Sequence, residues 1–506
     1  MAINIISATH HGLDGVLINV EVDIMNGLPS FAIVGLPNAS VKEARERVRA
    51  AIVNSGFKFP LGRIIINLAP ADVRKVGTML DLPIALGILM VSNQIKQIPL
   101  DEYVVFGELS LNGDLKGVKG SIPIIFEGDT KNKKNFIFPL ENLKEIRSFM
   151  LGNFYPFRNL KEVVSYITNE DLLPYEGKKD NRQQYRYELD YGDIFGQYSS
   201  KRAMEIVAAG RHNVALYGSP GSGKSMLANA LPSILPPLTI EEQMEVAKIY
   251  SVSGLIKDGY FVKRPFRAPH HSITKAALIG GGSEIRAGEI TLAHNGVLFL
   301  DEMLEFRRNV LDSLRQPLEE GVIHISRANE SYILPSKFVL VAAFNPCPCG
   351  KMLEGHGEKC ICTPLEINRY ASRMSGALMD RIDLLNYVPR VQVDEVAITK
   401  ENNNSDNMRQ RVMAACEMQK FRLKDTNYEY NSEIVGKDVL RLCRISIGAK
   451  KLIQECYQRN DLSIRAYTKI IKVARTMADL DGTDKIEDYH IMESLNYRKN
   501  IFGKIV

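Results

Sequence analysis

The run Gly218-Ser219-Pro220-Gly221-Ser222-Gly223-Lys224-Ser225 fits the pattern G-x-x-x-x-G-K-[ST] in full. An apolar stretch, Val214 to Tyr217, precedes it, and a helix is predicted to start near Met226. The run therefore lies between a strand and a helix, as its chemistry requires. The glycines let backbone N–H groups approach nucleotide phosphates. Lys224 can reach the β- and γ-phosphates, and the Ser225 hydroxyl can ligate Mg²⁺. All eight residues are candidates for binding ATP.

A second part of the same site is predicted about 80 residues on. Gly296 to Leu300 is a short continuous apolar run, as expected of a parallel strand covered on both faces, and it ends in Asp301 and Glu302. Alone, such a run is often just a strand end. Beside a phosphate loop, Asp301 can hold Mg²⁺ and Glu302 can polarise an attacking water. A third strand, Phe338 to Phe344, ends in Asn345, which suits orienting that water. The set points to ATP hydrolysis rather than storage.

Cys347, Cys349, Cys360 and Cys362 form a C-x-C pair followed by a second C-x-C pair. Four thiolates so close in sequence can close a tetrahedral Zn²⁺ site, structural rather than catalytic because no open position is implied. His356 is a fallback ligand, and two metal-free pairs of reduced cysteines are the alternative. The stretch from Gly321 to Pro335 reads as a β-hairpin turning at Ala328 to Glu330, with Arg327 near its tip. Arg327, with Lys263, Arg264, Arg267, His270, His271 and Arg286, could grip a nucleic-acid backbone without reading sequence. A solvated hairpin and a structural loop are the plainer reading of the same residues.

These residues need a large scaffold, and the 506-residue chain supplies enough for two or three domains. It is 45% hydrophobic and 24% charged, with no Trp, as in a water-soluble globular protein. No apolar run reaches the roughly 18 residues of a membrane span, and the N-terminus lacks a basic-then-apolar signal pattern. The expectation is a cytoplasmic protein without a membrane partner. The formal net charge of +5 permits a nucleic-acid partner without demanding one. All seven cysteines follow residue 346, which favours a metal site over a disulfide framework. Strands are expected at Val16 to Asp23 and Ile64 to Leu68, and helices at Val41 to Ser55 and Leu82 to Val91. The charge-rich stretch from Tyr175 to Tyr191 reads as a linker or a solvated loop. The C-terminal part reads as mostly helical, broken by a low-complexity stretch from Glu401 to Ser405.

From Asp193 to Gln197 (Asp-Ile-Phe-Gly-Gln) onward, the chain resembles the AAA+ ATPases of the magnesium-chelatase type, and among them the ComM/YifB family. The resemblance is carried by Arg264 to Thr274, Gly280 to Gly282, Gly288 to Glu302, Asn345 to Gly350, Ser375 to Asp383 and Leu462 to Tyr467. Gly27 to Pro37 and Asp81 to Gly87 resemble the leading domain of that family. The fold implied is α/β: a Lon-protease-like α+β domain at 1–170, a linker at 171–192, an AAA+ P-loop domain with a parallel sheet at 193–392, and a C-terminal helical lid at 393–506. The resemblance also implies a ring-forming motor, a hexamer with ATP between subunits. Lys224 and Ser225 match the phosphate loop, Asp301 and Glu302 the magnesium and base pair, and Asn345 the first sensor. Arg381 matches the arginine that reaches into a neighbour's site. Arg465 matches the second sensor, acting in cis or in trans.

Protease chemistry in the leading domain would need a nucleophilic Ser with a Lys base. The corresponding turn has Gly77 or Thr78 where the Ser should lie, after Lys75, so that domain is expected to be proteolytically inactive. The resemblance then implies an ATP-driven DNA translocase, a helicase that moves branch points of recombination intermediates in natural transformation. A metal-insertion ATPase of the magnesium-chelatase kind is the alternative. An ATP-dependent Lon-like protease is a weaker one.

Overall fold

The computed structural model describes residues 2–75, 77–97, 100–149, 151–169, 173–176, 187–256, 263–282, 286–326, 331–353, 360–373, 375–391, 404–459 and 462–499. The fold is α/β, with a central parallel sheet and a helical C-terminal region. The chain divides into two compact units, Met1–Gln184 with Gln243–Phe261, and Tyr185–Glu242 with Val262–Val506.

The first unit opens with β1 (Ile3–His11) and β2 (Asp14–Met25), then β3 (Ser30–Val34), α1 (Ala39–Asn54), β4 (Arg63–Ala69) and α2 (Asp81–Val91). Alternation sets the strands: Ile18, Val20 and Val22 are buried while their neighbours Asn19, Glu21 and Asp23 face the other side. The sheet order is β1-β2-β4-β3, with only β3 and β4 parallel. Helix α2 is apolar around its circumference and buried from Asp81 to Met90, so it forms the centre of this core. Its one charge, Asp81, is gripped by Arg47 through Nε at 2.7 Å and Nη2 at 3.0 Å. The four segments expected as strands and helices here fall on β2, β4, α1 and α2.

A small parallel sheet of β5 (Tyr103–Val105), β6 (Asn135–Pro139) and β7 (Asn153–Phe157) follows, with α3 (Ser121–Thr130) and α4 (Leu160–Asn169). Residues 243–261, though far along the chain, cluster with this unit. Ala247 packs with Ile122 and Phe126, and the Gly120 N–H donates to the Ser251 carbonyl at 3.1 Å. The turn compared above with a protease nucleophile holds its groups elsewhere. The Thr78 hydroxyl donates to Glu108, and the buried Lys75 ammonium donates to the Pro70 carbonyl.

In the second unit α5 (Tyr198–Gly210) leads into β8 (Val214–Tyr217) and α6 (Lys224–Ala230). The other strands of its five-stranded sheet are β9 (Phe266–Arg267), β10 (Val297–Leu300), β13 (Val339–Phe344) and β14 (Leu384–Tyr387), in the order β9-β10-β13-β8-β14, all parallel. Their sequences are almost entirely apolar because both faces are covered. The order puts β13 between β8 and β10, so the three loops that leave their carboxyl ends are neighbours. In open α/β sheets that edge is where ligands bind.

Between β10 and β13 the chain makes α7 (Arg315–Glu320) and an antiparallel hairpin of β11 (Val322–Ser326) and β12 (Ser331–Pro335). Pairing closes at Ser326 and Ser331, and the tip with Arg327 lies outside the described residues. After β13 come α8 (Pro364–Ala371) and α9 (Gly376–Met379), then α10 (Ser405–Leu423), α11 (Ile447–Arg459), α12 (Ile464–Leu480) and α13 (Asp488–Asn496). Helix α10 lies on α5, where Gln419 Nε2 donates to the Ala209 carbonyl at 2.9 Å.

Candidate nucleotide and metal sites

Strand β8 delivers the chain directly into the glycine loop. Gly221 and Gly223 take left-handed backbones, at φ 75° and 95°, and a Cβ at either would meet nothing within 4 Å. The loop is thus held open on a side where phosphate fits. Inside it, the Ser222 hydroxyl is buried without a hydrogen-bond partner among the described residues. Lys224 Nζ donates to the Gly218 and Ser219 carbonyls at 2.7 and 2.8 Å and to Asn345 Oδ1 at 3.2 Å. Burial lowers its pKa while Asp301 opposes that shift. Ser219 and Pro220 complete the turn.

Ser225 Oγ donates to Asp301 Oδ2 at 2.9 Å, so the two candidate Mg²⁺ ligands lie within one hydrogen bond of each other. Asp301 Oδ1 accepts from the Glu302 N–H at 2.9 Å. Glu302 itself is in the left-handed region (φ 49°, ψ 44°), unusual for a residue with a Cβ and a common mark of functional sites. Its side chain is 60% exposed and faces His271 Nδ1 at 3.6 Å. The fold thus brings together Lys224, Ser225, Asp301, Glu302 and Asn345, and the donor set fits a magnesium–nucleotide complex. Two neighbours were not read as parts of this site. One is His271, assigned above to a basic surface. The other is Gln197, whose Nε2 donates to the Ser222 carbonyl at 3.1 Å and the Pro389 carbonyl at 2.6 Å. Its place in the Asp193 to Gln197 segment was the only available signal.

The four cysteines converge. Their Sγ atoms all lie within 4.8 Å of one another, with Cys347–Cys349 at 3.4 Å, Cys347–Cys360 at 3.7 Å and Cys349–Cys360 at 3.5 Å. Thiolates at ~2.3 Å from a tetrahedral Zn²⁺ stand ~3.8 Å apart, so the cluster needs little adjustment to hold one. Burial pushes the Cys347 thiol up to about 12. Cys349 is lowered to about 6, chiefly by the Lys351 backbone N–H. All seven cysteines are free thiols. His356 lies outside the described residues.

Arg381 is 13% exposed and bound to Glu319 and to the Ala377 carbonyl, with its Nε buried and without a hydrogen-bond partner among the described residues. Arg465 Nη1 lies 3.5 Å from Asp380 and is largely exposed. Of the basic residues read as nucleic-acid contacts, Arg267 pairs in bidentate fashion with Glu289 at 2.6 and 2.7 Å. The Lys263 ammonium sits over the Tyr187 ring at 5.7 Å. Arg264 is a correction: it is 3% exposed and bonded to the Pro236 and Asn295 carbonyls and to Glu242, a structural role.

The family described as "Magnesium chelatase, subunit ChlI" matches residues 190–396, and its C-terminal counterpart matches 402–498. "Subunit ChlI of Mg-chelatase" matches residues 20–142. Competence protein ComM of Haemophilus influenzae is 41% identical over 96% of this chain and 95% of its own length. YifB of Salmonella typhimurium is 40% identical over 96% of this chain and 95% of its own length. The magnesium-chelatase 67 kDa subunit of Chlorobaculum parvum is 25% identical over 31% of this chain and 23% of its own.

Proposed function

The chain belongs to the ComM/YifB family of magnesium-chelatase-type AAA+ ATPases, and from that premise we propose that it is an ATP-driven DNA translocase. In this reading it assembles as a hexameric ring and moves branch points of recombination intermediates during natural transformation. The observation that carries the proposal is the convergence of Lys224, Ser225, Asp301, Glu302 and Asn345 at the carboxyl ends of three adjacent parallel strands.

Lys224 and the backbone of 218–223 bind the ATP phosphates. Ser225 and Asp301 would hold Mg²⁺, whose charge would offset that developing on the phosphate oxygens. Glu302 takes the proton of the attacking water, and Asn345 orients that water. Arg381 and Arg465 serve the phosphates at a subunit boundary, Arg381 in the neighbour's site. The four cysteines hold a structural Zn²⁺. Arg327, Arg267 and Lys263 contact the DNA backbone. The competence role comes from ComM, which this chain matches along nearly its whole length, whereas the chelatase subunit matches under a third of it.

The deciding experiment is ATP hydrolysis with and without branched DNA, repeated with Arg327→Ala. DNA should stimulate the wild-type rate, with a binding constant that falls steeply with salt. Arg327→Ala should blunt both the stimulation and the salt slope, leaving the basal rate in place. A basal rate indifferent to every DNA form would remove the translocase reading and leave only the ATPase.

A further inference from the structure

We propose that the zinc cradle and the phosphate loop are thermodynamically linked: metal held by the four cysteines raises nucleotide affinity, and bound nucleotide raises metal affinity. The inference rests on the reading of residues 218–225 as an ATP site and of the cysteines as a zinc cradle, and it goes beyond both.

Two contacts join the cradle to the loop. The first runs along the three residues that follow β13. Cys347 follows Asn345 after a single residue, Pro346, and Asn345 Oδ1 accepts from Lys224 Nζ at 3.2 Å. The buried first sulfur ligand and the side chain touching the loop lysine are thus fixed by the same three residues. The second contact is direct packing. Gly350 lies against Pro220, the third residue of the loop, so closely that a Cβ there would stand 2.4 Å from Pro220 Cδ and 2.7 Å from Cγ. Gly350 takes φ +77° and donates its N–H to the Cys347 carbonyl at 3.0 Å, which closes a tight turn carrying Cys349. The cradle therefore meets the loop at two points, at Lys224 through Asn345 and at Pro220 through Gly350.

Without an ion, four crowded sulfurs hold this turn weakly, since thiols are poor hydrogen-bond partners and thiolates repel one another. With an ion, ligand closure fixes the four sulfurs relative to one another and contributes free energy to the folded geometry. Order at Asn345 and Gly350 then spares the nucleotide part of the ordering it would otherwise have to impose. Linkage is reciprocal, so nucleotide must protect the metal by the same factor.

The test uses the full-length, zinc-loaded protein. Equilibrium competition for zinc with a chromogenic chelator is measured with and without saturating Mg·ATPγS, and a fluorescent ADP analogue is titrated into zinc-loaded and chelator-stripped protein. The expected result is zinc affinity raised by about fivefold or more and a matching loss of nucleotide affinity on stripping. Gly350→Ala, which presses on Pro220, should retain zinc but show much less protection. Should stripped protein or the variant unfold, the zinc affinity of the wild-type protein with and without nucleotide still decides. An unchanged zinc affinity, in protein that binds both zinc and nucleotide, overturns the linkage. Protein that holds no zinc overturns the cradle reading instead, and protein that binds no nucleotide overturns the ATP-site reading.

Discussion

Lys224 and Glu302 are assigned to one site but differ in what they hold. Every acceptor around the Lys224 ammonium is neutral: two loop carbonyls and the Asn345 amide oxygen. A phosphate offers the same ammonium charged acceptors, which make bonds about twice as strong. Lys224→Ala should therefore abolish nucleotide binding, read by equilibrium titration. Glu302 makes no contact with the loop lysine, and its exposed carboxylate faces His271. Glu302→Gln should keep nucleotide affinity and cut the hydrolysis rate by about 10²–10⁴, the usual worth of a general base. Wild-type phosphate release from purified Glu302→Gln protein would refute the assignment of the base. These residues were legible in the sequence because each belongs to a contiguous motif, with the glycines, strand and carboxylates spelled out in order. Glu319 and His271 were not legible. Glu319 is one charged residue among several on a short helix, and only tertiary proximity makes it the partner of Arg381. Arg264 was misread for a related reason. Its neighbours in sequence are basic, and nothing in their spacing tells that its guanidinium turns inward onto Glu242.

That inward turn organises a junction of elements. Arg264, just before β9, meets Glu242 at 2.9 and 3.1 Å, and Arg211, which ends α5, meets the same carboxylate. Arg264 also ties down the Pro236 and Asn295 carbonyls, so one guanidinium spans three chain segments. Burial works to raise the Glu242 carboxyl, but the Arg211 and Arg264 charges outweigh it and bring it down to about 2. Because the folded carboxyl titrates below its unfolded counterpart, the stability this cluster contributes is complete above an unfolded pKa near ~4.3 and is lost as pH falls toward 2. Glu242→Gln should cost ~3–5 kcal/mol at neutral pH by leaving buried guanidinium charge unpaired. Its gap from wild type should shrink as pH drops from 4.5 to 2, in urea melts at each pH. A gap that stays constant across that window would show that Glu242 is not the titrating group. At this scale, alternation exposed β2 and β4, and continuous apolar runs exposed β8, β10 and β13. The assignment of residues 243–261 to the first unit was hidden, because the hydrophobic partners of Ala247 are Ile122 and Phe126, more than a hundred residues earlier.

For the whole molecule, the question is how one chain's arginine can serve another chain's ATP. Arg381 lies two residues before Asp383, whose buried carboxylate is held well below the usual range. Burial opposes this, but Lys469 and His212 outweigh it. Lys469 reaches Asp383 at 3.2 Å and the Ile382 carbonyl at 2.9 Å from α12, the helix that begins at Ile464 and carries Arg465 in its first turn. Arg465 in turn approaches Asp380. The two arginines thus flank one charged cluster, Arg381 two residues before Asp383 and Arg465 on the helix that carries Lys469. Within its own chain, Arg381 is occupied by Glu319 and the Ala377 carbonyl, neither of them part of the phosphate loop. A guanidinium placed this way can act on phosphate only by exchanging Glu319 for an oxygen brought to it, and a neighbouring subunit is what the proposed ring supplies. Arg381→Ala should then lose about 10³–10⁵ in hydrolysis rate, as for arginine fingers generally, while each subunit still binds nucleotide. Mixing Arg381→Ala with Lys224→Ala subunits separates cis from trans action. In trans, a boundary that joins the intact loop of an Arg381→Ala subunit to the intact arginine of a Lys224→Ala subunit is complete, so the mixture should hydrolyse ATP although neither parent does. Mixed assemblies confirmed by mass, yet as inactive as their parents, would place Arg381 in its own subunit's chemistry or outside the chemistry altogether.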